Sequence, residues 1–370
     1  MMPVRIALRD TPPRWTAAAA VAVAVVLTLA LTAVPIRLAG ANPPAAFERY
    51  LLTPLTSGHG LQEVLLTATP LIFTGIAVAI AFRAGYWNIG AEGQFLAGTV
   101  GTTAVGLWLA DLPAAIALPL GLLAGAAGGT AWALLPAWLR RRGGIDEVVT
   151  TLLLNPVALL VVQGLLNGPW RNSESGFTDS DRVGAGYDLG PILPGGRVHW
   201  GFAIALVVAA VAWVVTTRTA TGLRIRACGQ SPKAAAFSGI AVDRIQWRCA
   251  LASGAVAGLG GASQVMGVQH QLTATISDGY GYTGIVVATL GGLSALGVVA
   301  VALLLGDVTV GAQNVSLVLQ VPTQLGDVFS ALLLLLVLAC LAGRRYRLVR
   351  RPPPRTADGA PPRTERRERS

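Results

Sequence analysis

Ten long apolar runs, separated by short polar breaks, set the main constraint on the fold. About 20 apolar residues at 1.5 Å each cross the hydrocarbon core of a bilayer as a helix, which makes its backbone hydrogen bonds internally. The sequence is 53% hydrophobic and 12% charged, whereas soluble domains carry roughly a quarter charged residues. The pattern predicts an all-α polytopic membrane protein with about ten transmembrane helices. The runs cover approximately residues 15–36, 61–82, 88–110, 113–139, 147–167, 199–217, 249–268, 280–294, 296–316 and 327–343.

Two of these runs are special cases. The first follows Arg5, Arg9 and Arg14 and could be a signal peptide. It exceeds the usual apolar core of about 7–15 residues, so we expect a retained helix. The eighth run is short and is expected to be a half-helix or a re-entrant segment, because irregular backbone is tolerated at membrane depth only where protein or a water-filled cavity covers it.

Basic residues indicate the orientation. If both termini are cytoplasmic, the cytoplasmic segments hold 23 of the 28 Lys and Arg residues, as the positive-inside rule requires. The net charge of +10 then reflects topology and attraction to anionic membrane lipid, and nucleic acid is not expected as a partner. This orientation gives a cytoplasmic N-terminus (1–14), a transmembrane domain (15–343) and an Arg- and Pro-rich cytoplasmic tail (344–370) that we expect to be disordered.

Two loops of the transmembrane domain stand out. The external loop, residues 168–198, is polar and could be a lid, a docking surface or a plain connector. The cytoplasmic loop, residues 218–248, contains helix signals, since Ser231 suits an N-cap, Pro232 the first helical position and Gly239 the exit. The pattern predicts a short helix whose alanines, at 234–236, offer a smooth surface to another protein, although simple linkage fits the spacing equally well.

Five segments in order resemble the permease subunits of bacterial ABC importers, in the branch that handles nucleosides and simple sugars. This branch lies within the superfamily of branched-chain amino acid and ribose-type permeases. The resemblance extends from about residue 60 to residue 343, and the nucleoside group is the better match. The segments are FRAGYWNIGAEGQ (82–94), IDEVVTTLLLN (145–155), RACGQSPKAAAFSGI (226–240), SGAVAGLGGA (253–262) and DGYGYTGIVVATLGG (278–292).

The resemblance implies that the chain is a transport subunit and not an enzyme. It implies a separate cytoplasmic ATPase that binds ATP and Mg, an identical or related second permease subunit, an external substrate-binding protein, and a place in a bacterial plasma (inner) membrane. The only Lys follows Pro232 and lacks the preceding Gly that a P-loop needs, so no cofactor is expected in this chain. The implied coupling helix comprises Gly229, Gln230, Ser231, Pro232, Lys233, Ala234, Ala235, Ala236, Phe237, Ser238 and Gly239.

The segment GYWNIGAEGQ places polar residues among apolar runs. A carboxylate at the centre of a membrane helix costs about 2.5–3.5 kcal/mol, so Glu92 is expected to face protein or water. One interpretation is that Asn88 caps the third helix and Glu92 lies in its first turn, where the helix dipole favours an anion. In the other, Asn88, Glu92 and Gln94 line the path of a solute, with Tyr86 or Trp87 packing against a ring.

Polar residues elsewhere extend the list of candidates for the path. Gln264 and Gln313 lie on polar stripes of the seventh and ninth helices and could equally bond between helices. Asn155 precedes Pro156, and this pair could instead mark a kink. The candidates for the substrate path are Tyr86, Trp87, Asn88, Glu92, Gln94, Asn155, Gln264 and Gln313.

Two other functions fit parts of the sequence. An ion-coupled secondary transporter of small polar solutes could use Glu92 or Asp307 as its carrier. An intramembrane aspartyl protease is suggested only loosely by Asp188 and Asp307, since the topology places Asp188 in the external loop. The three histidines are too scattered for a metal site, and the three cysteines fall on or near the reducing cytoplasmic side, so neither a metal nor a disulfide is expected.

Overall fold

The computed structural model describes residues 4–8, 15–319, 322, 324–343 and 346–350. Each of the ten predicted runs contains a helix. The elements are β1 (Val4–Leu8), α1 (Trp15–Leu38), α2 (Pro43–Leu51), α3 (Thr53–Thr56), α4 (Gly58–Arg83), α5 (Ala91–Trp108), α6 (Ala114–Gly143), α7 (Glu147–Asn167), α8 (Trp200–Arg218), α9 (Ala220–Gln230), α10 (Pro232–Phe237), α11 (Val242–Gln264), α12 (Tyr280–Leu290), α13 (Ala295–Leu319), α14 (Gln324–Gly343) and β2 (Tyr346–Arg350).

Six helices in the described part of the chain are long and apolar enough to cross a membrane: α4, α6, α7, α8, α11 and α13. Shorter apolar helices occupy Ala22–Leu38 of α1, all of α12, and Gln324–Cys340 of α14. At 1.5 Å per residue, the 11 residues of α12 reach only about 16 Å, roughly half of the hydrocarbon core. The predicted short eighth segment is therefore confirmed as a short helix.

Helices α4 and α11 form the centre of the bundle. Within their apolar stretches 78% and 72% of the residues are buried, compared with 22% in α6 and in α7. Phe73 and Ile76 of α4 pack in one large core together with Val287 of α12 and Val298 of α13. Outward-facing Leu and Val residues of α6 and α7 are suited to lipid contact.

Glycines allow α11 to pack closely on α5 and α6. A Cβ atom added at Gly258 would collide with the backbone of Gly125, and one added at Gly254 would meet the backbone of Gly129. Small residues that let helix backbones approach are typical of membrane interfaces. Gly125 and Gly129 of α6 and Gly254 and Gly258 of α11 therefore bring the two helix backbones into direct contact.

Two strands, β1 and β2, were not predicted from the sequence. They pair antiparallel, with Val4 opposite Arg350 and Leu8 opposite Tyr346. In β1 the larger apolar residues Val4, Ile6 and Leu8 alternate with Arg5 and Ala7, and this period of two residues suits a strand. The pairing places the segments before α1 and after α14 side by side. It also departs from the disorder predicted for the tail, of which residues 344–345 and 351–370 lie outside the described part.

Candidate functional site

A non-helical segment, residues 84–90, interrupts the helical path between α4 and α5 and is held by one face of α7. The Glu147 carboxylate accepts a hydrogen bond from the Trp87 amide at 3.1 Å. One turn further along, Thr151 Oγ1 accepts from the Ile89 amide at 3.1 Å. Asn155, another turn on, donates to the Ile89 carbonyl at 2.9 Å. These three side chains, spaced four residues apart, satisfy backbone groups that a helix would otherwise pair internally.

A second polar network ties the same segment to α4 and α11. The Asn88 amide donates to Gln94 Oε1 at 2.8 Å and to Ser253 Oγ at 2.9 Å. Ser253 in turn donates to the Ala77 carbonyl of α4 at 2.7 Å. Helix α5 begins at Ala91, so Asn88 is not its N-cap, which was one of the two interpretations of the sequence. Instead, Asn88 Oδ1 accepts a hydrogen bond from the Gly90 amide and fixes the turn that precedes α5.

Glu92 lies in the first turn of α5, as predicted, but its carboxylate also reaches the start of α12. One oxygen accepts from Ser277 Oγ at 2.6 Å, and the other accepts from the Gly281 amide at 2.7 Å. The N-cap position of α12 is Gly279, which has no side chain to satisfy the first amides of the helix. Glu92 therefore supplies from α5 the cap that α12 lacks.

The N-termini of α5 and α12 meet at this point. A Cβ atom on Gly281 would collide with the backbone of Glu92, so the two helix starts touch. Both ends carry the positive end of a helix dipole, and bringing them together is unfavourable without a negative charge. The buried Glu92 carboxylate, 7% exposed, lies between them and offsets that repulsion.

A cavity of about 680 Å³ lies between α4, α12, α13 and α14. Apolar residues such as Leu71 and Leu305 form part of its wall. Its volume and mixed lining resemble those of small-molecule sites, which are typically 300–1,000 Å³ with a few polar groups. Polar residues lining the cavity are Thr67, Asp278, Tyr280, Thr283, Thr309, Gln313 and Ser330.

The start of α12 carries three of these polar residues into the cavity wall. Asp278 lies between Ser277 and Gly281, the two residues that Glu92 binds. The Tyr280 carbonyl accepts from Thr74 Oγ1 of α4 at 3.0 Å. The Tyr280 ring lies 5.7 Å from that of Phe95 on α5. The cavity wall is therefore fixed by contacts from both α4 and α5.

On the predicted cytoplasmic side, α9 touches the break between α4 and α5. A Cβ atom on Gly229 would collide with the carbonyl of Arg83, so the two backbones are in direct contact. Gln246 of α11 donates to the carbonyls of Ala84 and Gly85 at 3.1 and 3.3 Å. Any movement of α9 would therefore act directly on the segment that leads to Glu92.

The predicted short helix in the cytoplasmic loop is confirmed as α10. Ser231 caps it through the Ala234 amide at 3.4 Å, and Gly239 leaves it at a φ of +81°. Phe237 is 97% exposed, which is unusual for a large apolar side chain. Ala235 is buried, so the predicted alanine surface is wrong at its middle residue.

The other predicted path residues have varied surroundings. Tyr86 is buried beneath the guanidinium of Arg140, which lies 5.3 Å from its ring centre, and Trp87 is half-exposed against Phe82. Gln264 is buried at the end of α11. Asn88, Gln94 and Asn155 are engaged in the hydrogen bonds above, and Gln313 alone of the eight lines the cavity. Substrate contact at these eight positions stays a prediction.

Three residues of the cavity lining were not predicted from the sequence as site residues: Asp278, Tyr280 and Thr283. They belong to the DGYGYTG segment, which served only to support the family resemblance. The sequence feature that could have indicated these residues is the polar, glycine-rich start of a short apolar run. This pattern is typical of a helix that begins inside the membrane. No group of three or more His, Cys, Asp or Glu that could hold a metal occurs among the residues that the structure describes.

His199 lies on the predicted external side, just before α8, and connects two elements there. Its Nδ1 accepts from the Gly201 amide at 3.1 Å, and its ring packs against Gly267 in the π-helical turn Val265–Gln269 that follows α11. Burial, and to a lesser extent nearby His270, lower the pKa of His199 to about 4, while Asp188 opposes this shift. The imidazole is therefore neutral at physiological pH and acts as a helix cap.

Comparison with known proteins adds a family match. The family described as the permease component of branched-chain amino acid transport systems matches residues 60–338. A glucose ABC transporter permease of Haloferax volcanii is 35% identical over 353 residues, 92% of each chain. A guanosine ABC transporter permease of Bacillus subtilis is 34% identical over 76% of this chain and 82% of its own. A nucleoside ABC transporter permease of Lactococcus lactis is 29% identical over 75% and 79%.

Proposed function

The chain belongs to the permease family of branched-chain amino acid transport systems, and from this we propose that it forms the translocation path of an ATP-driven importer for nucleosides or simple sugars. The cavity beside α12 is the observation that carries the proposal, because its size and hydroxyl-rich lining suit an uncharged polar solute. Relatives named for glucose, guanosine and nucleosides support this substrate class.

In this proposal ten helices enter or cross the plasma membrane: α1, α4 to α8 and α11 to α14. The pairing of β1 with β2 supports an even number of crossings, because it keeps the two ends of the chain on one side. The distribution of Arg and Lys assigns that side to the cytoplasm. Helix α12 begins within the membrane, and transporters often present binding groups at such helix starts.

We place the contact with a separate ATPase at α10. Phe237 projects into solvent beside Lys233 and gives a partner protein an apolar anchor. Force applied there passes through Gly229 to the segment after Arg83, and from that segment through Glu92 to the start of α12. The route contains close backbone contacts and buried hydrogen bonds, which transmit displacement better than loosely packed side chains do.

The experiment reconstitutes the permease with its ATPase, the second permease subunit and the external binding protein in proteoliposomes. We expect one nucleoside or one sugar to stimulate both ATP hydrolysis and uptake. Phe237→Glu abolishes that stimulation while leaving the permease folded, because the side chain has almost no intramolecular contact. Ile145→Glu, at a 45% exposed apolar residue between α6 and α7, is the matched control and retains activity.

The same preparation distinguishes an ion-coupled transporter. Uptake driven by a sodium or proton gradient without ATP would overturn the proposal and favour a carboxylate carrier. The structure already gives the Glu92 carboxylate two hydrogen-bond donors, Ser277 and Gly281, which suit a permanent cap better than a group that binds and releases ions. Family membership likewise disfavours the aspartyl protease.

A further inference from the structure

We propose that Asp278 makes the cavity selective for uncharged, hydroxyl-rich solutes and causes it to reject phosphorylated forms of the same molecules. This inference rests on the proposed function, since it assigns the substrate class of that same cavity. Among the described residues that line the cavity, Asp278 carries the only charged side chain. A nucleoside or sugar would therefore meet a carboxylate and several hydroxyl groups, without a cation to bind phosphate.

The position of Asp278 is fixed on both sides. Ser277 donates to one oxygen of Glu92, and the Gly281 amide donates to the other. The Tyr280 carbonyl is bound by Thr74 of α4. The Asp278 side chain itself is exposed toward the cavity. A carboxylate held on an anchored turn is preorganised, and binding loses little free energy to ordering it.

The surrounding charge is negative. Glu92 lies behind the wall that carries Asp278 and does not line the cavity, so Asp278 is the carboxylate that an anion would face. The positive ends of α5 and α12 are already compensated by Glu92 and offer little attraction to a phosphate. Charges interact more strongly at the wall of a cavity than in bulk water, because the effective dielectric constant near protein is below that of water.

A carboxylate is suited to binding two neighbouring hydroxyl groups of one solute molecule. Its two oxygens accept hydrogen bonds but donate none, so they can receive two O–H donors from adjacent carbons of a ribose or a hexose. The Tyr280 ring in the same wall offers an aromatic face to a base or to the apolar face of a sugar. Phosphorylation adds negative charge at neutral pH, and this repels Asp278 without adding a donor.

Thiol modification inside the cavity tests this inference without the binding protein. Thr309, an exposed residue of the cavity lining, is replaced in the variant Thr309→Cys. The background carries Cys340→Ala, because Cys340 is partly accessible whereas the other two cysteines are buried. Modification rates are measured with a cationic and an anionic methanethiosulfonate reagent, and then with guanosine or guanosine monophosphate present.

We expect the cationic reagent to react faster than the anionic one, and Asp278→Asn to reduce that ratio on the order of tenfold. Guanosine should protect the thiol while guanosine monophosphate does not, until Asp278→Asn admits the monophosphate. Asp111→Asn, at an exposed carboxylate outside the cavity lining, leaves both results unchanged. An unchanged ratio in Asp278→Asn, or absence of protection by guanosine and glucose alike, overturns the inference. Failure of the proposed function would appear separately, as absence of solute-stimulated ATP hydrolysis.

Discussion

Substitutions at Glu92 distinguish a carboxylate that caps α12 from one that only supplies charge. Glu92→Asp keeps the charge but withdraws it by one methylene group, so its oxygens no longer reach Ser277 Oγ and the Gly281 amide at 2.6 and 2.7 Å. Glu92→Gln removes the charge but keeps the length and one acceptor oxygen. If capping is the function of Glu92, the isosteric change is therefore milder than the charge-conserving one.

The magnitudes follow from the two hydrogen bonds. A hydrogen bond to a charged group contributes about 1.5–3 kcal/mol, so losing both in Glu92→Asp costs about 3–6 kcal/mol in the free energy of unfolding. In Glu92→Gln the amide oxygen still accepts from Gly281, and the Ser277 hydroxyl can rotate to accept from the amide nitrogen. The variant loses the attraction of the charge to the two helix dipoles, typically about 0.3–1 kcal/mol each, but it no longer buries a charge, so we expect a loss below about 2 kcal/mol.

Thermal unfolding of the purified protein in detergent, followed through its nine tryptophans, measures the order of stability of the native protein and the two variants. The Glu92→Gln midpoint should lie close to the native one, and the Glu92→Asp midpoint well below both. Glu174, exposed in the external loop, provides the control, since Glu174→Asp and Glu174→Gln should leave the midpoint in place. A native midpoint for Glu92→Asp together with a large drop for Glu92→Gln would refute the capping argument.

Three further changes test other parts of the structure. Asn155→Leu leaves the Ile89 carbonyl and a second backbone group unpaired, so unfolding free energy should fall by about 2–6 kcal/mol, whereas Asn167→Leu at the exposed end of α7 changes little. Gly229→Leu forces α9 away from α4, so ATP-driven uptake should fall at least about tenfold while a pull-down still recovers the ATPase. His199 is neutral in the folded protein, because burial lowers its pKa to about 4 from about 6.5 in the unfolded chain. Its contribution to the free energy of unfolding is therefore complete above about pH 6.5, and up to about 3 kcal/mol is lost as the pH falls toward 4. In His199→Gln, the free energy of unfolding measured against pH should not show that loss.

Local signals were enough to predict the helices. Apolar length predicted the ten runs, and Ser231, Pro232 and Gly239 predicted α10 because caps depend on residues a few positions apart. The boundaries were less accurate where polar residues continue a helix. Helix α11 begins at Val242, seven residues before the predicted apolar run, because its first two turns lie beyond the apolar stretch.

The partners of buried polar groups could not be predicted in the same way. Glu92 binds Ser277 and Gly281, about 190 residues further along the chain, and no periodicity within α5 indicates that contact. Polar positions four residues apart in α7 indicate a polar face in the sequence. They do not indicate that this face binds residues 84–90. Long-range contacts of this kind depend on the packing of several helices, which a single sequence does not reveal.

The pairing of β1 with β2, and of α1 with α14, has a consequence for synthesis. About 340 residues separate the two strands, and a ribosome adding about 5–20 residues per second needs roughly 20–70 s to make them. During that interval the first helix enters the bilayer without its final neighbour. A chain truncated before α14 would therefore leave α1 without its main neighbour, with only its smaller contacts to α2 and α13, and more exposed to quality-control proteases.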